Sequence, residues 1–464
     1  MQSADRTVSK GTAVAVAGIS SFTTPVMGSS INIALPDIGS ELHLTAVTLG
    51  WIATSYLLSA AVFLLPFGRL ADIVGRKRIY LAGIIIFTIA SVVCALSGGI
   101  VELMVARVIQ GLGSAMIFGT GDAILTSVFP PNERGKALGT NVAFTYVGLS
   151  LGPLVGGVLT QLFGWRAIFW AVVPLGLVSI LLVVWKLRAE WAEAKGERLD
   201  LPGAVVAALS LAVLIFGLSL LPARQGIVLT ASGAVGIALF VVWERRAPNP
   251  LLDMNLFASN RTFAFSNLAA LIHYSATFAI TFFMSLYLQY LKGESPQLAG
   301  FVLISQPAMM ALFSPLTGRL SDRHDSRIIA SIGIGLIGLM LALMSTIGAR
   351  TPMWFIVACL LVVGIGYALF SSPNSNAIMG SVERRVYGVA SATMGTMRLI
   401  GQMMSMAIAL LIVSLLVGNA EITSAQYPAF VRSQKTAFLV FAVFCFFGVL
   451  ASLARGKAAR LAHS

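Results

Sequence analysis

The stretch GRLADIVGRK, residues 68–77, decides how the chain is read. One apolar run ends at it and another begins just after it, so it reads as a short basic loop between two helices. A second copy, GRLSDRHDSR, occupies residues 318–327 in the same setting. The copies share Gly68 with Gly318, Leu70 with Leu320 and Asp72 with Asp322, and each ends on a base, Lys77 or Arg327. Asp325 stands where the first copy has Gly75. Two related halves with a site between them are a common plan for proteins that move solutes across membranes.

Composition agrees. The chain is 57% hydrophobic and 11% charged, whereas soluble chains carry about 25% charged residues. Mean hydropathy is +0.89. A soluble fold has nowhere to hide that much apolar surface. A bilayer supplies the missing solvent, and each crossing needs about 20 mostly apolar residues.

Apolar runs recur near 12–35, 47–71, 79–98, 102–129, 136–162, 165–187, 202–220, 226–245, 262–291, 297–320, 327–348, 352–378, 386–417 and 435–455. The first follows Arg6 and Lys10 but is too long for a leader's apolar core, so it is taken as a span. Fourteen spans place both termini on one side. Of the 31 Lys and Arg residues, 23 then fall on the terminal side, 6 on the other, and Arg107 and Arg398 inside spans. The basic side is expected to be cytoplasmic in a cell membrane, plasma or bacterial inner. The net charge of +13 therefore sets topology, and no nucleic-acid partner is expected. The lipid bilayer is the expected surrounding and the chain is expected to work as a monomer.

Cys94, Cys359 and Cys445 lie in apolar runs, spaced for neither metal nor disulfide. GIGLIG, residues 333–338, matches a nucleotide-binding pattern but sits inside a span with no strand before it. No cofactor, metal site or nucleophile–base cluster is expected, and the chain is not read as an enzyme.

The loop pattern G-x-L-x-D-x-x-G-R-K, carried by Gly68, Leu70, Asp72, Gly75, Arg76 and Lys77, resembles the signature of the major facilitator superfamily. RVIQGLG, with Arg107, Gln110 and Gly111, resembles that superfamily's span-four motif. PNERGKALG (131–139), WRAIF (165–169) and LDLPG (199–203) fit as well. GLSLGPLVGG, holding Gly148, Gly152, Pro153, Gly156 and Gly157, resembles the span-five motif associated with antiporters. The match points to the fourteen-span drug:proton antiporter family. It implies an all-α membrane fold of two six-helix bundles, residues 1–187 and 251–464, with a cytoplasmic linker and two extra spans at 188–250.

By this resemblance Asp72 docks near the start of span thirteen, around Tyr387–Ala390, and latches the halves on the basic side. A carboxylate at a helix N-terminus is favoured by about 0.3–1 kcal/mol. Gly75 permits the turn, and Arg76 and Lys77 are expected at anionic headgroups. The linker KLRAEWAEAKGERLD, residues 186–200, reads as a solvated connector or a short surface helix. Gly148, Gly152 and Gly156 share a helix face, either as a pivot or as ordinary close packing.

Arg107 lies inside span four. It either takes part in proton handling, as the resemblance implies, or anchors neighbouring carbonyls. Asp122, the one carboxylate placed well inside a span, is a proton or cation site, or else a structural partner of the basic loop. Cavity candidates are Asn32, Tyr56, Gln110, Tyr146, His273, Tyr274, Phe278, Asn374 and Arg398. The family's usual span-one aspartate is absent, since Met27 takes its place in VMGSSINIALP, residues 26–36.

The expected function is a secondary transporter exporting amphipathic small molecules by proton antiport. The rivals are a metabolite or lipid carrier of the same fold and a non-transporting membrane sensor.

Overall fold

The computed structural model describes residues 9–456 except 131–132, 248–249, 253, 383–386 and 419, and leaves undescribed the side chains of 134–136, 142, 255, 322, 387–388 and 392. Every long apolar run is helical. In hydrocarbon no water satisfies backbone N–H and C=O groups, so each crossing segment must bond within itself.

Six helices open the chain: α1 (Lys10–Leu42), α2 (Ala46–Val74), α3 (Arg76–Leu96), α4 (Ile100–Val128), α5 (Arg134–Phe163) and α6 (Arg166–Lys186). The extra pair follows as α7 (Leu201–Ser219) and α8 (Arg224–Glu244), then a short α9 (Met254–Ser259). The second bundle comprises α10 (Arg261–Thr277), α11 (Ala279–Leu286), α12 (Pro296–Leu303), α13 (Ser305–Arg323), α14 (Ser326–Met344), α15 (Met353–Gly380), α16 (Tyr387–Leu416) and α17 (Tyr427–Ala454). Here α10 with α11, and α12 with α13, each form one span, so 14 helices are long and apolar enough to cross a membrane. The architecture is therefore two six-helix bundles plus two extra helices.

Span ends differ from the sequence reading at two places. Span one continues to Leu42, because Pro25 and Pro36 both stay inside the helix. The last span begins at Tyr427 with Pro428 in its first turn, where a missing N–H costs no bond. Polar residues at other starts cap free amides. Thr45 accepts from Thr48 N–H, Asn260 from Phe263 N–H and Ser295 from Leu298 N–H. In LDLPG, Asp200 accepts from Gly203 N–H and from the Trp243 indole at 2.8 Å, which fastens α7 to α8. Through α7 the pair lies against α2 and α16, with Phe216 of α7 meeting Trp51 of α2 at 5.8 Å between ring centroids.

Lipid-facing positions carry large apolar side chains such as Leu96, Val101, Phe163, Trp185 and Phe447. Hydrocarbon gives no hydrophobic drive between helices, so close packing must hold them together. Small residues make it possible. A Cβ on Gly113 would stand 2.7 Å from the Phe87 backbone nitrogen and 2.8 Å from the Gly83 carbonyl oxygen. Gly113→Val is expected to force α3 from α4 and cost about 1–3 kcal/mol, read as a lowered midpoint of thermal unfolding in detergent.

Candidate functional site

The candidate site lies between the bundles, well inside the apolar spans. Asp122 on α4 is half-buried and accepts from the Asn141 amide of α5 at 2.9 Å. Arg398, half-buried on α16, is near enough for its charge to act on both Asp122 and Tyr146. The Tyr146 hydroxyl shares a 2.7 Å hydrogen bond with Ser371 of α15, which bridges the bundles. At about 1.5 Å per residue, Asp122 lies roughly 9 Å and Arg398 roughly 17 Å from the basic ends of their helices.

Aromatic rings back these charges. His273 is fully buried, with its ring centroid 5.0 Å from Tyr274, 4.6 Å from Tyr367 and 4.1 Å from Phe370. Neither ring nitrogen of His273 has a hydrogen-bond partner among the described residues. It fills an aromatic cluster, and the half-buried Tyr274 reaches the site in its place. Phe278 marks a break between α10 and α11, where the Ala279 N–H is taken by the Ser405 hydroxyl of α16 at 3.0 Å.

Other cavity candidates are held inside single bundles. Arg107 is wholly buried. It donates to the Ile52 carbonyl (3.1 Å) and to Gln110 Oε1 (2.6 Å), and lies 4.4 Å from the Tyr56 ring centroid. Gln110 continues to Ser91 at 2.8 Å, and the Tyr56 hydroxyl donates to Ser114 at 2.8 Å. No carboxylate joins this network among the described residues. Asn374 faces away from the site, accepting from Arg455 at 3.0 Å and donating to the Ser266 carbonyl at 3.2 Å. The Asn32 side chain is buried, while its carbonyl accepts from Ser285 of α11 at 2.5 Å.

The signature loop is organised by the linker. Gly75 separates α2 from α3 at φ +129°, where a Cβ would also strike the Glu190 carboxyl group at 2.6 Å. Arg76 does not reach headgroups. It is buried, with Nε donating to Asp72 (2.9 Å), Nη1 to Ser127 (2.6 Å) and the fork gripping both Glu193 oxygens at 2.9 and 3.1 Å. The Lys77 N–H donates to Glu190 at 2.8 Å, and Arg69 pairs with Glu197. Backbone bonds run from Arg76 N–H to the Trp191 carbonyl (2.9 Å) and from Ala194 N–H to the Asp72 carbonyl (3.0 Å). The linker is thus a strap without helix rather than a solvated connector. Its acids Glu190, Glu193 and Glu197 were the overlooked signal, three carboxylates within eight residues on the basic side.

The second copy turns by other means. Asp325 caps α14 through the Arg327 N–H at 2.9 Å, so no positive φ is needed where Gly75 stood. Ser326 replaces Arg76, which removes the buried fork. Gly318 packs near Ser372, and the Asp322 side chain lies outside the described residues, as do those of Tyr387 and Gly388. Among the described residues Asp72 pairs with Arg76 alone, and no hydrogen bond joins the bundles at the basic face.

The opposite face is sealed. Ser285 and Gln289 donate to the carbonyls of Asn32 and Ile33, Tyr290 to that of Pro36, and Ser150 to that of Pro307. Gly148, Gly152 and Gly156 lie against α1, where a Cβ on Gly148 would meet the Phe22 carbonyl oxygen at 2.5 Å. The neighbouring stripe crosses between bundles. Gly157 lies against Pro296, and Gly300 against the Pro153 carbonyl. WRAIF tightens the same face, since Trp165 and Arg166 each bond Glu41 at 2.7 Å.

Two helical bundles sealed at one face around a charged, aromatic-lined centre define a membrane transporter. The profile of the Major Facilitator Superfamily matches residues 17–244 and 266–462, and the chain belongs to that superfamily. The drug-efflux resemblance in its motifs accords with its relatives. It is 32% identical to the multidrug resistance protein Stp of Mycobacterium tuberculosis, over 82% of this chain and 71% of that one. It is 30% identical to the methylenomycin A resistance protein of Streptomyces coelicolor, over 81% and 80%. The riboflavin transporter RibZ of Clostridioides difficile is also 30% identical, over 81% and 82%. A solved peptide transporter, POT with sulfate, shares the fold at TM-score 0.70 and 16% identity, covering 97% and 96% of the two chains.

The native cysteines are buried, so an introduced thiol reports access. Tyr146→Cys is expected to react with a membrane-impermeant maleimide added at the basic face and to be protected from the other. Equal labelling from both sides of oriented vesicles contradicts the sealed face.

Proposed function

We propose that this chain is a secondary active transporter that exports amphipathic small molecules, of the multidrug-efflux kind, by proton antiport with alternating access. The observation that carries this reading is Asp122. It is an ionisable carboxylate well inside an apolar span, with a neutral amide as its one hydrogen-bond partner among the described residues. Intramembrane acids of this kind mark ion pathways. The similarity to proteins named for multidrug and methylenomycin resistance supports export.

In this scheme solute enters from the cytoplasm while Asp122 is ionised. The bundles rock, the opposite face opens, and a proton replaces the solute at Asp122. The protonated carrier then returns. The basic side is cytoplasmic, both termini lie inside the cell membrane, and the monomer suffices. Residues 1–187 and 251–464 are the rocking bundles, and residues 188–250 supply the strap and the accessory pair. The chain acts as a carrier and not as an enzyme. A second reading, a metabolite carrier of the same fold, is favoured by the similarity to a riboflavin transporter.

In proteoliposomes with an imposed pH gradient, the wild type is expected to move amphipathic dyes against their gradient. Asp122→Asn is expected to lose at least 10-fold of that pH-driven flux while keeping dye exchange without a gradient. Full pH-driven transport by the variant would falsify the role given to Asp122.

A further inference from the structure

The charges at the centre narrow the solute class, granted the export reading above. Two opposite charges, on helices of different bundles and each half-buried, lie within each other's electrostatic reach without forming an ion pair among the described residues. Asp122 makes no salt bridge among the described residues, where its hydrogen bond comes from the Asn141 amide. Arg398 has neither hydrogen bond nor salt bridge among them, although its charge reaches Asp122 and Tyr146. An arginine at such depth lines water or awaits a partner.

The backbone holds Arg398 in place. A Cβ on Gly395 would stand 3.9 Å from Leu64 of α2, and one on Gly401 would stand 2.8 Å from Tyr274 Cβ of α10. Between these two contacts α16 is wedged against both bundles, and Arg398 sits midway between them in sequence. The other ionisable groups packed near Asp122 are engaged elsewhere. Tyr80 donates to Val16 and Ser20, and Arg76 is bound by Asp72, Ser127 and Glu193. Tyr146 holds Ser371. The field inside the site is therefore a dipole, negative toward α4 and positive toward α16.

A simple cation drawn to Asp122 is repelled by Arg398, and the missing span-one acid at Met27 offers no second negative charge to offset it. A simple anion drawn to Arg398 is repelled by ionised Asp122 and binds best when that carboxyl is protonated. Anion and proton would then travel together, the opposite of exchange. A molecule carrying both charges escapes both penalties, and its positive end displaces the proton from Asp122.

We propose that the site takes dipolar aromatic solutes, with the positive group at Asp122, the negative group at Arg398 and the ring on Tyr146 and Tyr274. His273, Tyr367 and Phe370 brace Tyr274 from behind.

Three xanthene dyes of nearly one shape separate the charge classes. Rhodamine B carries a carboxylate and a delocalised cation, rhodamine 6G is an esterified cation, and fluorescein is an anion. Fluorescence anisotropy on the purified protein, corrected for empty micelles, is expected to give rhodamine B at least 10-fold tighter binding than either other dye. Arg398→Gln is expected to erase its advantage over rhodamine 6G, and Asp122→Asn its advantage over fluorescein. A misfolded variant would instead lose all three dyes alike. Equal wild-type binding of rhodamine B and rhodamine 6G, no wild-type binding of any dye, or variants that still bind and keep the wild-type dye ranking overturns the proposal. The flux assay separates the two claims. pH-driven export with the wrong dye ranking removes the dipolar site alone, and the right ranking without gradient dependence removes proton antiport alone.

Discussion

A charged side chain in hydrocarbon costs at least about 2.5 kcal/mol, so the structure around each one in this chain is organised to meet that cost. Arg107 meets it with a carbonyl, an amide and a tyrosine face inside one bundle, which makes it a rigid tie between α2 and α4. Asp122 and Arg398 meet it differently. Each keeps some exposure and has no ion-pair partner among the described residues. The first arrangement stiffens a bundle, and the second leaves the cost of burial only partly offset.

Backbone satisfaction governs how the bundles touch. At the sealed face, side chains of α5 and of the span formed by α10 and α11, which runs to Leu291, donate to carbonyls of α1 and of the α13 segment near Pro307. Such contacts are modest one by one, and interhelical hydrogen bonds in membranes average about 0.6 kcal/mol. Each is weak enough to be exchanged one at a time. Glycine stripes let the helices come close enough to make them. At the basic face the strap binds the loop of its own bundle. Arg76 is buried against Glu193, whose side chain is 68% exposed, so solvent screens one end of a pair that closes over the other.

Much of this was legible in the sequence because its causes are local. Long apolar runs can only be spans, and the bias of Arg and Lys between alternate loops gives their number and common side. Asp122 and Arg398 stood out as ionisable residues inside such runs. The partners were not legible. The acids of the linker join the loop across more than 110 residues, as in the Lys77–Glu190 bond. Nothing local distinguishes Asn374, which anchors Arg455, from a residue lining the cavity. His273 gave no sign that it would be shut among rings without a hydrogen bond, because that depends on Tyr367 and Phe370 arriving from α15.

The sequence by itself determined fourteen helices, two related bundles, their shared basic side and the short set of charges kept at depth. Hydrophobicity and charge bias act residue by residue along a chain in a membrane. Tertiary structure alone decided what GRLADIVGRK does. Its arginine is buried under the chain's own strap instead of lying at the headgroups, and its aspartate pairs with that arginine. It also decided that Arg398 stands near enough for its charge to act on Asp122, because the packing of α16 against α2 and α10 brings residues so distant in sequence together.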